Sequence, residues 1–540
     1  MKLKEDMTEE KLRGAYYTPL NLATNIVDKI LDFSTINNIL EPSCGDGVFI
    51  EAIRNSEENA NKKIKAIEID KEAFKELSKK YKKDKGSSLL NKDFFDYYEK
   101  NKSVKYDLVI GNPPYVRYQY LEPDQRDELS RILTDNGLKS NKLINAWVGF
   151  TVACSKLVAD NGSLVFILPA ELLQVVYAKD LRNFLLREFN DISIFTFSSL
   201  VFDEIEQETV IFKGTRSSEH KGIRIIELSD IDDLANINLD EYQYIDAPCT
   251  QEKWTKYFTN VDEVNLINEI KNDHRFQRLD EVALINVGIT TGNNKYFCVE
   301  KSIIKKYRLN NYVMPLIGRS AHVDGAIFTN EDYLLNYDKD KKANLLVLNK
   351  ENNKYPNGVK EYIKLGEDQE VNKGYKCSIR DNWYEVPSVW IPDAFFLRRN
   401  NIFPKFVMNN IQAVSTDTMH RIKFNDGIDG ENVLLSYYNS ISFAFTEING
   451  RSYGGGVLEI LPSEVGSIML PIINGIPEEI KNTMLSYIDL NLRNSTDIET
   501  ILDEVDRVVL VEYLGIQEET CTRFRQIWRK LNNRRLGRAR

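Results

Sequence analysis

Along the first half of the chain, apolar runs end abruptly in acidic or turn-forming residues. Ile39-Leu40 leads into Glu41-Pro42-Ser43-Cys44-Gly45-Asp46-Gly47-Val48-Phe49-Ile50. The pattern predicts a short strand, a tight glycine turn and a helix with Ile50 and Ile53 on its inner face. Ile64-Lys65-Ala66-Ile67-Glu68-Ile69-Asp70 predicts a second strand that ends in carboxylates, and Asn91-Lys92-Asp93-Phe94-Phe95 places an acid and two aromatics at another strand end. Tyr106-Asp107-Leu108-Val109-Ile110-Gly111 reads as a buried strand that stops at Asn112-Pro113-Pro114-Tyr115. Two consecutive prolines cannot continue a sheet, and both have a fixed φ.

Beyond about residue 235 the pattern changes. Residues 215–250 are polar and acidic and read as a connection between domains. Val282 to Ile289 alternates and opens a Gly/Asn/Thr-rich loop, Thr290-Thr291-Gly292-Asn293-Asn294-Lys295. Further strands are expected at 402–414 and 419–424, and helices near 431–447 and 476–490. The expected architecture is an α/β first domain over 1–235 and an α+β second domain over 236–540 that ends in a basic tail.

Composition narrows the class. A chain of 540 residues exceeds one ordinary domain, and 42% hydrophobic with 28% charged residues is a globular composition. No run of eighteen apolar residues and no signal peptide is evident, so no membrane partner is expected. The cysteines at 44, 154, 249, 298, 377 and 521 form no Cys-x-x-Cys pair, and the four histidines are not at ligand spacing. A reducing compartment is expected, with no disulfide framework and no metal site. The net charge of −10 does not itself suggest a polyanion partner, but positive charge is concentrated locally. Residues 523–540 hold eight Arg or Lys and no acid, and 395–423 hold Arg398, Arg399, Lys405, Arg421 and Lys423 against Asp417.

The strand ends describe a ligand. Glycines at 45 and 47 permit close approach of backbone, while Glu41 and Asp46 argue against a phosphate there and for a cationic, amino-bearing group. A carboxylate at Glu68 can accept both hydroxyls of a ribose. Asp93 can accept from an amino group and Phe94 can stack on an adenine ring. The order is that of a pocket for a nucleoside with a charged side group and no phosphates. At Asn112-Pro113-Pro114-Tyr115, stiffly held carbonyl acceptors beside an aromatic ring suit a flat, amino-bearing molecule such as adenine.

These segments, in this order, resemble the gamma-class S-adenosylmethionine-dependent DNA adenine-N6 methyltransferases, the modification enzymes of restriction–modification systems. The family begins with a Tyr-Thr-Pro segment, here Gly14-Ala15-Tyr16-Tyr17-Thr18-Pro19, and a later strand resembles Asn161 to Pro169. The likeness covers residues 14–213. It implies S-adenosylmethionine as cofactor, held by Tyr17, Thr18, Glu41, Ser43, Gly45, Gly47, Glu68, Ile69, Asp93, Phe94 and Asn112. It implies a catalytic set of Asn112, Pro113, Pro114 and Tyr115, with N6–H bonded to the Asn112 side-chain oxygen and the Pro113 carbonyl. The base would be flipped from the duplex and stacked on Tyr115 and Phe202. Cys44 is then a small buried residue.

The second half of the family carries a target-recognition domain. The segments Gly288–Lys295, Ser415–Arg421 and Gly450–Gly456 resemble parts of related enzymes. Arg319, Arg398, Arg399 and Lys405 are the candidate DNA contacts, and His420 reads as a structural histidine. The resemblance implies double-stranded DNA as partner, a separately encoded restriction endonuclease or none, a monomer, and the cytoplasm of a bacterium or archaeon. A glutamine-amide or RNA methyltransferase would use a similar Asn-Pro-Pro-Tyr motif, but would generally lack the Tyr-Thr-Pro start and the large second domain. A DNA-binding module with an inactive methyltransferase fold is disfavoured by the intact Asn112, Tyr115, Glu68 and Asp93.

Overall fold

A computed structural model describes residues 17–56, 59, 61–141, 144–197, 208–247, 253–348 and 355–537. The chain forms two compact units, Met1–Val264 and Asn265–Arg540.

The first unit is built on an eight-stranded sheet. Its strands are β1 (Asn38–Glu41), β2 (Lys63–Glu68), β3 (Ser87–Asn91), β4 (Tyr106–Gly111), β5 (Val158–Pro169), β6 (Asp191–Phe197), β7 (Thr209–Thr215) and β8 (Gly222–Leu228). Their spatial order is β3-β2-β1-β4-β5-β7-β6-β8. β1 to β5 pair in parallel, and β7 lies antiparallel between β5 and β6. Strand order reverses between β1 and β4, so the carboxyl ends of those two strands border a crevice.

The continuous apolar runs follow from this architecture, because a parallel sheet is covered on both faces. Leu108, Val109 and Ile110 of β4 are all fully buried. The helices Leu20–Asn25 and Val48–Arg54 contribute Leu22, Ala23, Phe49, Ile50 and Ile53 to one core cluster with Ile39, Ile64, Ile110 and Ile167. The helix Ala146–Leu157 is buried at every residue but Lys156, with Trp147, Val152 and Leu157 in the core.

The stretch 215–250 is not a plain connection. It supplies β8, which pairs in parallel with β6 and buries Ile223 and Ile226. The turn Trp254–Phe258 then buries Trp254, Tyr257 and Phe258. The division between units therefore falls at 264–265 rather than near 235. An edge strand with one polar face reads as a linker in composition alone.

In the second unit, a mixed sheet runs in the order Ala283–Val287, Met419–Phe424, Ala394–Leu397, Phe406–Asn409 and Ile327–Phe328. The strand expected over 402–414 is broken into Phe406–Asn409 and the start of Val414–Ser415, because Asn409 closes a loop on Ala413 and Gln412 has a positive φ of 58°. The helix expected at 431–447 is two helices, Gly430–Leu435 and Ser440–Asn449, with Asn439 capping the second through Ser442 N at 2.9 Å. The helix Glu478–Arg493 follows.

The basic C-terminal run is a helix, Glu518–Gly537, rather than a tail. Its Arg535 is 2% exposed and donates to both oxygens of Glu447 at 2.7 and 3.1 Å and to the Asn401 carbonyl at 2.6 Å. Among the described residues no helix is long and apolar enough to cross a membrane.

Candidate active site

The turn after β1 needs its glycines. Gly45 and Gly47 have φ of +52° and +79°, and a Cβ on Gly47 would lie 2.4 Å from Leu77 Cδ1. Gly47 then begins the helix Val48–Arg54. Cys44 N donates to the Ile67 carbonyl at 2.9 Å, tying the turn to β2. Cys44 is buried, and burial pushes its thiol well up, which disfavours the thiolate.

Glu68 closes the end of β2 onto the same turn. Its Oε2 accepts from Gly45 N at 2.8 Å and its Oε1 from Asp70 N at 2.7 Å. Both oxygens are already oriented by backbone, and each keeps a lone pair for a further donor. Glu41 is buried, and burial, then the charges of Asp46 and Glu68, raise its carboxyl well above the ordinary range. Glu41 Oε2 has no hydrogen-bond partner among the described residues. Burial also raises the carboxyl of Asp46.

A cleft of about 750 Å³ opens at these strand ends, and Ser43, Glu68, Ile69, Asp93, Phe94 and Pro114 are among the residues that line it. Ile69 is 58% exposed, an apolar side chain held at the surface of a cleft. Asp93 caps the helix Phe94–Lys100 through Phe95 N at 2.7 Å, and its other oxygen accepts from Gln125 Nε2 at 2.9 Å. Phe94 stacks on Phe150 with ring centroids 4.8 Å apart. Gln125 and Phe150 were not evident from sequence. The Glu122-Pro123-Asp124-Gln125 spacing announces a helix start, but nothing in it points to Asp93.

Asn112 to Tyr115 leave the end of β4 at the strand-order reversal. Ser43 Oγ donates to the Asn112 carbonyl at 3.3 Å, which joins this segment to the glycine turn. Asn112 Nδ2 donates to Thr18 Oγ1 at 3.3 Å. The Tyr115 hydroxyl donates to the Ile167 carbonyl in β5 at 3.1 Å, which fixes the ring. Ala146 N donates to the Val116 carbonyl at 2.8 Å and anchors the exit of the segment. Tyr17 is 56% exposed, and its ring lies 3.4 Å from where a Cβ of Gly45 would be. Tyr17, Thr18, Ser43, Gly45, Glu68 and Asn112 are thus linked around the two strand ends. Phe202 and residues 14–16 lie outside the described residues.

In the second unit, Arg319, Arg398 and Arg399 line one hollow of about 440 Å³ with Ser320, Leu397, Asp417 and Thr418. Glu459 Oε1 accepts from Arg398 Nε at 2.9 Å and from Arg399 Nε at 3.2 Å. Lys405 does not line this hollow. Its ammonium donates to the carbonyls of Val323 and Asp324 at 3.1 and 2.9 Å, so it ties two segments of its own unit together. His420 is buried with Nε2 on the Ile460 carbonyl at 2.7 Å, and burial lowers its pKa, so the ring is held neutral.

The parallel sheet with an antiparallel β7, the glycine turn after β1 and the acid at the end of β2 define a Rossmann-like methyltransferase with an α+β second domain. The model of the Eco57I restriction-modification methylase matches residues 17–202, and that of the C-terminal domain of the type II methyltransferase M.Eco57I matches 251–510. The chain is 24% identical over 534 residues to the type II methyltransferase M.AccI of Acinetobacter calcoaceticus, covering 94% of this chain and 95% of that one. It is 25% identical over 361 residues to M.HindII of Haemophilus influenzae, covering 60% and 64%. Among solved structures, the type IIL restriction-modification enzyme MmeI in complex with DNA shares the fold, with a TM-score of 0.60 and 12% identity, over 98% of this chain and 80% of that one. Both matching models come from type II restriction–modification methylases, and the chain is a DNA methyltransferase whose methyl donor is S-adenosylmethionine.

The residues present fit that donor. An orphaned, buried carboxylate oxygen on Glu41 suits an ammonium, the ordered Glu68 suits ribose hydroxyls, and Phe94 and Ile69 offer apolar surface to a purine.

Proposed function

We propose that the chain methylates the exocyclic N6 of adenine in duplex DNA. The observation that carries this reading is the placing of Asn112-Pro113-Pro114-Tyr115 at the carboxyl end of β4, where strand order reverses. Asn112 Oδ1 and the Pro113 carbonyl are two acceptors for the two N6–H hydrogens. Accepting both draws the nitrogen toward a tetrahedral geometry and frees its lone pair from the ring. Pro113 and Pro114 supply no N–H of their own and restrict φ, so the acceptors hold their positions through the reaction. Tyr115, fixed by its bond to the Ile167 carbonyl, offers a ring to the base. Adenine inside a duplex cannot reach a sheet edge, so the base is turned out of the stack, and Tyr115 with Phe202 takes over its stacking.

Glu41, Ser43, Gly45, Gly47, Glu68, Ile69, Asp93 and Phe94, with Tyr17 beside the turn, are the residues that would hold the cofactor. Bound S-adenosylmethionine supplies an already activated methyl group, which leaves positioning and electrostatics to the protein.

The second unit reads the target. The hollow at Arg319, Arg398 and Arg399 is its candidate DNA contact, with guanidinium groups and the hydroxyls of Ser320 and Thr418 as donors. Lys405 has no part in this reading. The chain acts as a monomer, beside a restriction endonuclease encoded separately.

The test is transfer of labelled methyl from S-adenosylmethionine to unmethylated duplex DNA, followed by hydrolysis and separation of nucleosides. Label is expected in N6-methyladenine, with Asn112→Ala lowering the rate by about 100-fold or more. Label in cytosine, RNA or protein would sink the reading.

A further inference from the structure

The Tyr-Thr-Pro segment places Thr18 among the cofactor residues by resemblance. Its placing assigns it a different task. Thr18 is 6% exposed and stands two residues before the helix Leu20–Asn25, whose N-cap is Pro19. Its Oγ1 accepts from Asn112 Nδ2 at 3.3 Å, across 94 positions of sequence.

A carboxamide has one end that accepts and one that donates. For Asn112 to offer its oxygen to an adenine amino group, the NH2 end must point elsewhere and be satisfied there. If the amide turned over, its NH2 would face the N6–H hydrogens, donor against donor, and the base would lose an acceptor. Thr18 Oγ1 accepts at the NH2 end; because a hydroxyl can also donate, the orientation is selected by Thr18 on one side together with the two N6–H donors of the base on the other. Pro19 fixes the backbone just after it, and the Pro19 carbonyl accepts from Ala23 N at 3.1 Å, so the hydroxyl is mounted on the start of a packed helix.

We propose that Thr18 is a positioning residue: its buried hydroxyl holds the Asn112 amide in the orientation that presents Oδ1 to the target base. This rests on the adenine-N6 reading. It makes Thr18 act on the chemical step through Asn112, and not on cofactor affinity.

The experiment compares wild type, Thr18→Val, Thr18→Ala and Thr18→Ser. Single-turnover formation of N6-methyladenine is measured with saturating S-adenosylmethionine and DNA, and S-adenosylmethionine affinity is measured by equilibrium titration. Thermal unfolding establishes that each variant is folded. Thr18→Val keeps the shape and removes the acceptor, so its rate is expected to fall about 10- to 100-fold, consistent with loss of alignment at the reacting atoms. Thr18→Ala should fall with it, and Thr18→Ser, which keeps the hydroxyl, should return to within a few-fold of wild type. Cofactor affinity should change little in all three.

A Thr18→Val enzyme as fast as wild type overturns the proposal. So does a Thr18→Val defect that lies in cofactor affinity and disappears at saturation. If the wild-type product is not N6-methyladenine, the adenine reading falls and the proposal with it. If that product forms and only the variants disagree, the proposal alone falls.

Discussion

At the scale of single residues, the carboxylates proposed to hold the cofactor stand in unequal environments. Glu68 is satisfied by two backbone donors, whereas Glu41 is buried with an oxygen that has no partner among the described residues. Its carboxyl is raised above the ordinary value, chiefly by burial. A raised carboxyl means that the folded chain holds its proton above the pH at which the unfolded chain releases it. The contribution of Glu41 to stability is therefore lost as pH rises above about 4.5, the ordinary glutamate range. Glu41→Gln removes that penalty, and is expected to stabilise the ligand-free protein at neutral pH by about 0.5–2 kcal/mol in denaturant unfolding. The same change removes the partner for a ligand ammonium and should weaken S-adenosylmethionine binding roughly 10- to 100-fold by calorimetric titration, the worth of a hydrogen bond to a charged group. In wild type, affinity should climb with pH as Glu41 ionises, and Glu41→Gln should lack that climb. Equal affinity in the two proteins would remove Glu41 from the site.

Elements explain why some of these residues were legible and others were not. β1 and β4 carry apolar runs buried on both faces and β2 an interrupted one, Ile64 with Ala66-Ile67, and their polar ends stand out as ligand positions. Gln125 and Phe150 come from helices whose sequence signals concern helix formation only, and their approach to Asp93 and Phe94 is a matter of packing. The mixed sheet of the second unit joins strands far apart in sequence, such as Ala283–Val287 with Met419–Phe424, and no local pattern encodes that pairing. The C-terminal helix makes the same point through charge. Eight basic residues over 523–540 read as solvated, yet Arg535 is buried against Glu447, a partner 88 positions away. Arg535→Ala would leave Glu447 buried without its cation and should lower stability by about 3–5 kcal/mol in urea unfolding followed by circular dichroism. A change within about 0.5 kcal/mol, as for a solvated residue, would contradict the packing.

For the whole molecule, the family places a modification enzyme on a strongly charged polymer although the chain carries a net charge of −10. Local positive charge must then do the binding, and the hollow that Arg319, Arg398 and Arg399 line is the proposed place for it. Arg319→Ala and Arg399→Ala are expected to raise the KM for DNA and leave the rate at saturating DNA unchanged. Each should reduce the slope of log affinity against log salt concentration by about one, if its guanidinium meets a phosphate. A relaxed sequence preference with an unchanged slope would assign the arginine to a base edge instead. Absence of both effects would remove these residues from the interface.

The single oxygen of Glu459 that receives both Arg398 and Arg399 has a consequence for descent. Two neighbouring positions that share one buried anchor are not inherited as independent characters. Replacing either arginine changes the carboxylate's hold on the other, so whether a mutation at 399 is tolerated depends on what a lineage already carries at 398. Glu459 itself is the least free of the three, because its loss would release both. Diversification across this surface should therefore favour paired replacements at 398 and 399 around Glu459.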